Sequence, residues 1–212
     1  MILSICPTFN RPDECFRMVK SFKGLSTEYN KLILLFSNNE PRLDQYKDSL
    51  ELVDGYHILP STHTITELIN SCLKIYSNIK YYHITNDDVI YKTLGWDNKL
   101  VRVLEDYGSG ISYGDDLLQG KNLCTFPMIT ADLPEKLGWL QMPKLNRYCG
   151  DVVWKFIGEN CDCLYYVPGV IIQHKWQGAD ATINKEDMAK FAEWLQRSHI
   201  ECDEVREVVN GT

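Results

Sequence analysis

Asn86-Asp87-Asp88 closes the apolar run Tyr81-Tyr82-His83-Ile84-Thr85. Two adjacent acids at the end of a buried strand are costly unless a positive group sits on them. Hard oxygen ligands suit Mg2+ or Mn2+, so a divalent cation carrying a diphosphate is one occupant that offsets the cost. A plain turn at a strand end is the other reading, and the triplet alone does not choose between them. Further along, Asp151 follows Cys149-Gly150 at the start of a helical pattern, and His174 follows the apolar run Val167–Gln173. A carboxylate at a helix start stabilises that terminus whatever else it does. An imidazole at a strand end can ligate a metal or simply pack beside Trp176. A second acidic pair, Asp115-Asp116 after Gly114, reads as a solvated loop that could contact a substrate.

The elements that must position these groups follow from periodicity. Residues 2–6 form a short buried strand, followed by the turn Pro7–Pro12; Asp13 is placed to cap a helix running to about Lys23, with Phe16, Val19 and Phe22 on one face. A strand at 31–36 ends in Ser37–Pro41, residues 42–53 read as helical, and 56–59 as a third strand. A helix over 65–76, preceded by Ser61 or Thr62, buries Leu68, Ile69, Cys72, Leu73 and Tyr76, and leads to the strand at 80–85. This alternation implies a parallel sheet wrapped by helices, with ligands beyond the carboxyl ends of the strands. The turns at 7–12, 37–41 and 86–88 lie at those ends and should converge. Beyond them the pattern predicts an amphipathic helix over 96–107 and strands at 110–114, 126–130 and 164–172. Helices are expected at 134–140, 149–158 and 185–198, a loop at 115–121, and a polar tail over 200–212.

Composition bounds the function. The chain has 212 residues, 44% apolar and 24% charged, enough for one large domain with a sizeable core. The longest apolar runs are strand-sized, far short of a membrane span, and the first residues lack the basic start of a signal peptide. Net charge is −7 with no basic block, which argues against a nucleic-acid surface. Eight cysteines stand outside zinc spacings, and reduced, buried thiols in a cytoplasmic protein are expected.

Taken in order, Ser4-Ile5-Cys6-Pro7-Thr8-Phe9-Asn10-Arg11-Pro12, the acids of Asn86-Asp87-Asp88, Phe126–Thr130 leading to Leu137-Gly138-Trp139, Gly150-Asp151 and His174 resemble the GT-A glycosyltransferases. The likeness is to the family 2-like inverting enzymes in particular, over about residues 2–176. In size and motifs the chain is similar to small glycosyltransferase domains encoded by large DNA viruses, including chlorella viruses, which would place it in the host cytoplasm. The resemblance implies an α/β GT-A fold, a single Rossmann-like mixed sheet flanked by helices, in one domain over 1–212. About 1–90 would bind the nucleotide, about 91–180 the acceptor, and 181–212 would form a C-terminal helix and tail, with further domains possible in a longer parent.

It also implies roles. Asp88 and His174 would ligate Mn2+ (or Mg2+), and Asp87 would face the ribose or sugar. Pro7, Thr8, Asn10, Arg11 and Asn38 would form the nucleotide pocket, with Glu67 and Asn70 meeting the nucleoside or sugar. Asp151 would be the general base, the one carboxylate left where the family has an acidic pair. Among the tryptophans, Trp139 and Trp176 are the best placed for sugar stacking. The expected reaction moves a hexose or deoxyhexose, such as glucose or rhamnose, from a UDP-sugar to a hydroxyl of a glycan or glycoprotein acceptor. A sugar nucleotidyltransferase shares the alternation but opens with a Gly-rich basic loop, and Pro7–Pro12 has no glycine. A non-catalytic nucleotide- or glycan-binding module of the same fold is the third reading.

Overall fold

The structure, a computed structural model, describes residues 1–175 and 181–211. Strand β1 (Ile2–Pro7) buries Ile2, Leu3, Ile5 and Cys6 alike, the signature of a parallel strand covered on both faces. Strand β2 (Asn30–Ser37) has the same character and pairs parallel with β1, Ile5 opposite Ile33. Strands β3 (Gly55–Leu59) and β4 (Tyr81–Ile84) continue the parallel set outside β2 and β1 respectively.

Helix α1 (Pro12–Leu25) covers one face. Its Cys15, Met18, Val19 and Phe22 pack against Ile2, Cys6, Leu32, Leu34 and Phe36. Pro12 takes the first helical position, where its fixed φ and missing N–H cost nothing, so Asp13 lies inside the first turn and does not cap the helix as expected. Between β2 and β3 the expected helix shrinks to a 3-10 turn over 43–46 and the single turn α2 (Lys47–Leu50). Helix α3 (Ile65–Ile75) covers the opposite face, packing Leu68, Ile69 and Cys72 on Leu3, Ile5, Ile33 and Leu35.

After the acidic triplet comes β5 (Val89–Tyr91), three residues that the sequence pattern did not signal. Helix α4 (Trp96–Tyr107), β6 (Ile111–Asp115), β7 (Met128–Thr130), α5 (Asp132–Leu137), α6 (Gly150–Asn160), β8 (Leu164–His174), α7 (Ala181–Leu195) and α8 (His199–Asn210) complete the described chain. The eight strands form one mixed sheet in the order β3-β2-β1-β4-β7-β6-β8-β5. β7 is antiparallel to both β4 and β6, β8 is parallel to β6, and β5 is antiparallel to β8.

One expectation fails at the carboxyl end. The predicted polar tail over 200–212 is instead α8, because Cys202 and Val205, three apart on an otherwise charged helix, bury against a third core. The helix expected at 185–198 is α7, ending at Leu195 with a short turn before α8. Trp139 also belongs to that core, its ring centroid 5.2 Å from that of Trp154, so it offers no stacking surface. Trp176 lies outside the described residues. All eight cysteines are free and buried.

Candidate active site

The β1 turn and the β4 end meet because the two strands are neighbours in the sheet. The Thr8 hydroxyl donates to Asp87 Oδ2 at 2.8 Å, and Tyr46 OH lies 3.2 Å from the same hydroxyl. Tyr46 OH also accepts the Arg11 backbone N–H at 2.8 Å, fixing the turn. From that turn Arg11 Nη1 reaches Asp87 Oδ1 and Asp88 Oδ2, each at 3.4 Å. One guanidinium thus sits across two nearly buried carboxylates, and supplies the positive group their placement demands. The pair divides its charge unevenly. Burial pushes Asp87 up to about 6, against the pull of Thr8 and Arg11, with Asp88 adding to the rise. Burial acts on Asp88 too, but the neighbouring His174 imidazole, with Arg11, outweighs it and holds that carboxyl below its ordinary range.

His174 reaches Asp88 through β5. Val89 pairs with His174 in the antiparallel ladder, and the Lys175 N–H donates to the Asp88 carbonyl at 2.8 Å. The imidazole Nε2 then faces Asp88 Oδ1 at 3.5 Å. Asp88 Oδ1 is buried and has no hydrogen-bond partner among the described residues. A hard carboxylate oxygen left open beside an imidazole fits two ligands of a divalent cation. No cluster of three or more His, Cys, Asp or Glu side chains suited to a metal occurs among the described residues. The remaining positions of a cation here would therefore fall to ligand oxygens and water.

These groups line a cleft of about 550 Å3 that also takes in Pro7, Asn86, Asp116, Thr125, Gln141, Arg147 and Asp151. Its far wall is the loop before α6. Asp187 of α7, fully buried, accepts the backbone N–H groups of Asn146, Arg147 and Tyr148, each at 2.8 Å. Cys149 then adopts a left-handed backbone (φ 68°) and α6 begins. Gly150 packs closely on the Gln141 amide, and a Cβ there would force that side chain to shift. The Val152 N–H donates to Asp151 Oδ1 at 2.9 Å. Burial raises the Asp151 carboxyl pKa, opposed by backbone N–H groups and by His174, while Asp116 adds to the rise.

Of the anticipated residues, the fold brings Pro7, Thr8, Arg11, Asp87, Asp88, Asp151 and His174 to the cleft. Four others have local duties. Asn10 (φ 55°) turns outward, its N–H donating to Glu40. Asn38 Oδ1 accepts the Ser61 N–H. Glu67 folds back on Thr64 in a reciprocal capping box at the start of α3. Asn70 binds the backbone of Leu140 and Gln141 and so acts on the cleft only by placing Gln141. The loop residue Asp116, expected to be solvated, is 1% exposed. Its position, directly after the carboxyl end of β6, is the signal that could have found it.

This sheet order, with acids at the β4 end and a carboxylate across the cleft, is that of a GT-A fold. Solved structures with that fold match the chain. S. aureus TarS 1-349 in complex with UDP shares 10% identity at a TM-score of 0.64, over 81% of this chain and 59% of that one. The mannosyltransferase PcManGT from Pyrobaculum calidifontis, in complex with GDP-Man and Mn2+, shares 11% at 0.65, over 98% and 69%. GalNAc-T7 with UDP, GalNAc and Mn2+ shares 12% at 0.69, over 91% and 47%. At these identities the likeness is one of fold, and the chain spans about six-tenths of TarS 1-349. No protein-family model and no curated protein sequence matches the chain. Among the described residues no helix is long and apolar enough to cross a membrane.

Proposed function

We propose that the chain is a divalent-metal-dependent glycosyltransferase, inverting, that moves a hexose or deoxyhexose from a UDP-sugar to a hydroxyl of a glycan acceptor. The observation that carries this reading is one cleft in which Asp88 Oδ1 stands without a hydrogen-bond partner beside His174, with Asp151 on the same lining. The solved structures of similar fold that hold UDP, GDP-Man and Mn2+ support it.

Asp88 and His174 would hold Mn2+ or Mg2+, which when bound neutralises charge growing on a leaving diphosphate. Arg11 carries part of the same burden, since its guanidinium already lies at the mouth of the acids. Thr8 locks Asp87 in place and so fixes the wall against which the donor would rest. Asp151 would take the proton of the acceptor hydroxyl from the side opposite the leaving group. A pKa raised by burial makes its carboxylate a stronger base than an exposed one. A sugar nucleotidyltransferase is disfavoured by the glycine-free turn after β1.

The test is calorimetric titration of UDP with and without Mn2+, followed by UDP release across a panel of nucleotide sugars and acceptors. Metal-dependent UDP binding with turnover is expected. Binding without turnover on any donor would leave only a binding module, and no binding at all would overturn the reading.

A further inference from the structure

Among the described residues, three buried oxygens on this cleft have no hydrogen-bond partner besides Asp88 Oδ1: Asp116 Oδ2, Thr125 Oγ1 and Gln141 Oε1. A buried acceptor left unmade costs free energy, so each such atom in a folded protein calls for an explanation. Asp116 is the most informative. Its Oδ1 accepts the N–H groups of Leu118, Gln119 and Gly120 at 2.9, 2.6 and 3.0 Å, which fixes the carboxylate rigidly. Its Oδ2 is left without a donor, on a residue that lines the cleft.

Its place in the cleft says which part of a ligand would supply that donor. The Asp116 carbonyl accepts the backbone N–H of His174 at 3.0 Å, tying the residue to the candidate metal ligand. Asp151 lines the same cleft. A group held by Asp116 therefore lies in the cleft shared by the candidate metal ligand and the candidate base. In a transfer reaction that is where the moving sugar must be. Sugar hydroxyls donate to carboxylate, hydroxyl and amide oxygens, whereas a carboxylate on the sugar would be repelled by the Asp116 charge.

We propose that Asp116, with Thr125 and Gln141, forms the subsite that takes the hydroxyls of the donor's sugar and selects a neutral sugar over an anionic one. This rests on the donor reading above. The test is calorimetry in Mn2+ with UDP, UDP-glucose, UDP-galactose and UDP-glucuronate, on the wild type, Asp116→Asn and Thr125→Val. Asparagine keeps an Oδ1 for the loop N–H groups and replaces only the free oxygen. UDP should bind all three proteins within about twofold. Asp116→Asn should weaken the better neutral donor about tenfold or more, as expected for loss of a hydrogen bond to a charged group, and narrow the preference over UDP-glucuronate. Thr125→Val, which cannot disturb the 116–120 turn, should weaken the same donor severalfold. Unchanged neutral-donor affinity in both variants, with UDP binding intact, would overturn the subsite and leave the donor reading standing. Loss of UDP affinity in Asp116→Asn would reduce the residue to holding its loop. Failure of the wild type to bind UDP would overturn both.

Discussion

Three side chains share one electrostatic problem at the head of the cleft. Asp87 and Asp88 are adjacent, nearly buried and both reached by the Arg11 guanidinium, at 3.4 Å from each. Contacts of that length leave Arg11 a shared counter-charge and not a bidentate clamp. A divalent cation on Asp88 and His174 would therefore find an acid that is already screened but still has one open oxygen. Asp88→Ala removes that oxygen and the anchor of His174 together, so Mn2+-dependent UDP binding should vanish; an unchanged calorimetric affinity would remove Asp88 from the metal site. Asp151 faces a separate test. Asp151→Asn keeps the Val152 N–H bond and the shape of the helix start, so UDP should still bind, while transfer falls by roughly 100-fold or more. Turnover near that of the wild type would exclude it as the base. Residues of this kind were legible in the sequence because they stand at strand and helix ends, where polar groups are conspicuous. Glu67 and Asn38 look the same in one dimension. Their local bonds, a helix cap and a loop tie, emerge only once the backbone is folded.

At the scale of elements, the apolar runs of β1 and β2 were readable because both faces are buried, so no alternation dilutes the signal. β5 was not readable, since three residues after an acidic turn carry no period, yet its pairing with β8 is what sets His174 against Asp88. α8 escaped for a different reason, because two buried side chains on a charged helix look like a solvated tail. The far wall of the cleft depends on another long-range contact. Asp187 caps three successive backbone N–H groups of the loop that carries Arg147 and leads into Asp151. Several backbone N–H donors, with Lys190 beside it, outweigh burial and hold the Asp187 carboxyl below its ordinary range. Asp187→Ala should leave those donors unmatched. Loss of a buried, charged hydrogen-bond acceptor costs about 1–3 kcal/mol, so the melting temperature should fall by several degrees. Transfer should drop about tenfold with UDP affinity little changed, because the proposed nucleotide wall lies elsewhere, on β1 and β4. Asp187→Asn, which retains one acceptor oxygen, should recover part of both losses. Equal kinetics for Asp187→Ala and the wild type would show that the loop holds its shape without the clamp.

For the molecule as a whole, the two halves of the sheet meet around His83. It is fully buried on β4, its ring centroid 4.6 Å from that of Trp96 on α4. Nδ1 lies 3.1 Å from the Pro127 carbonyl that precedes β7, and Nε2 lies 2.9 Å from Tyr91 OH on β5. A charged imidazole has no counter-ion among these partners, and burial drives its pKa from the ordinary 6.5 down to about 3, only slightly opposed by the Pro127 bond. Between those values the unfolded chain binds a proton that the folded chain refuses. Stability from His83 is thus fully present above pH 6.5 and is lost as pH falls toward 3, on the order of 1 kcal/mol for each unit. Asp87 acts in the opposite sense, because its raised folded pKa of about 6 makes acid favour the folded state. The bare pH profile therefore mixes signs, and only a comparison isolates the histidine. His83→Gln keeps a neutral side chain with a donor and an acceptor but cannot be protonated. It should be less stable than the wild type at pH 7 and lose less on going to pH 5, so that the two urea midpoints converge. Parallel midpoints at both pH values would mean that His83 does not couple the junction of the sheet to acid.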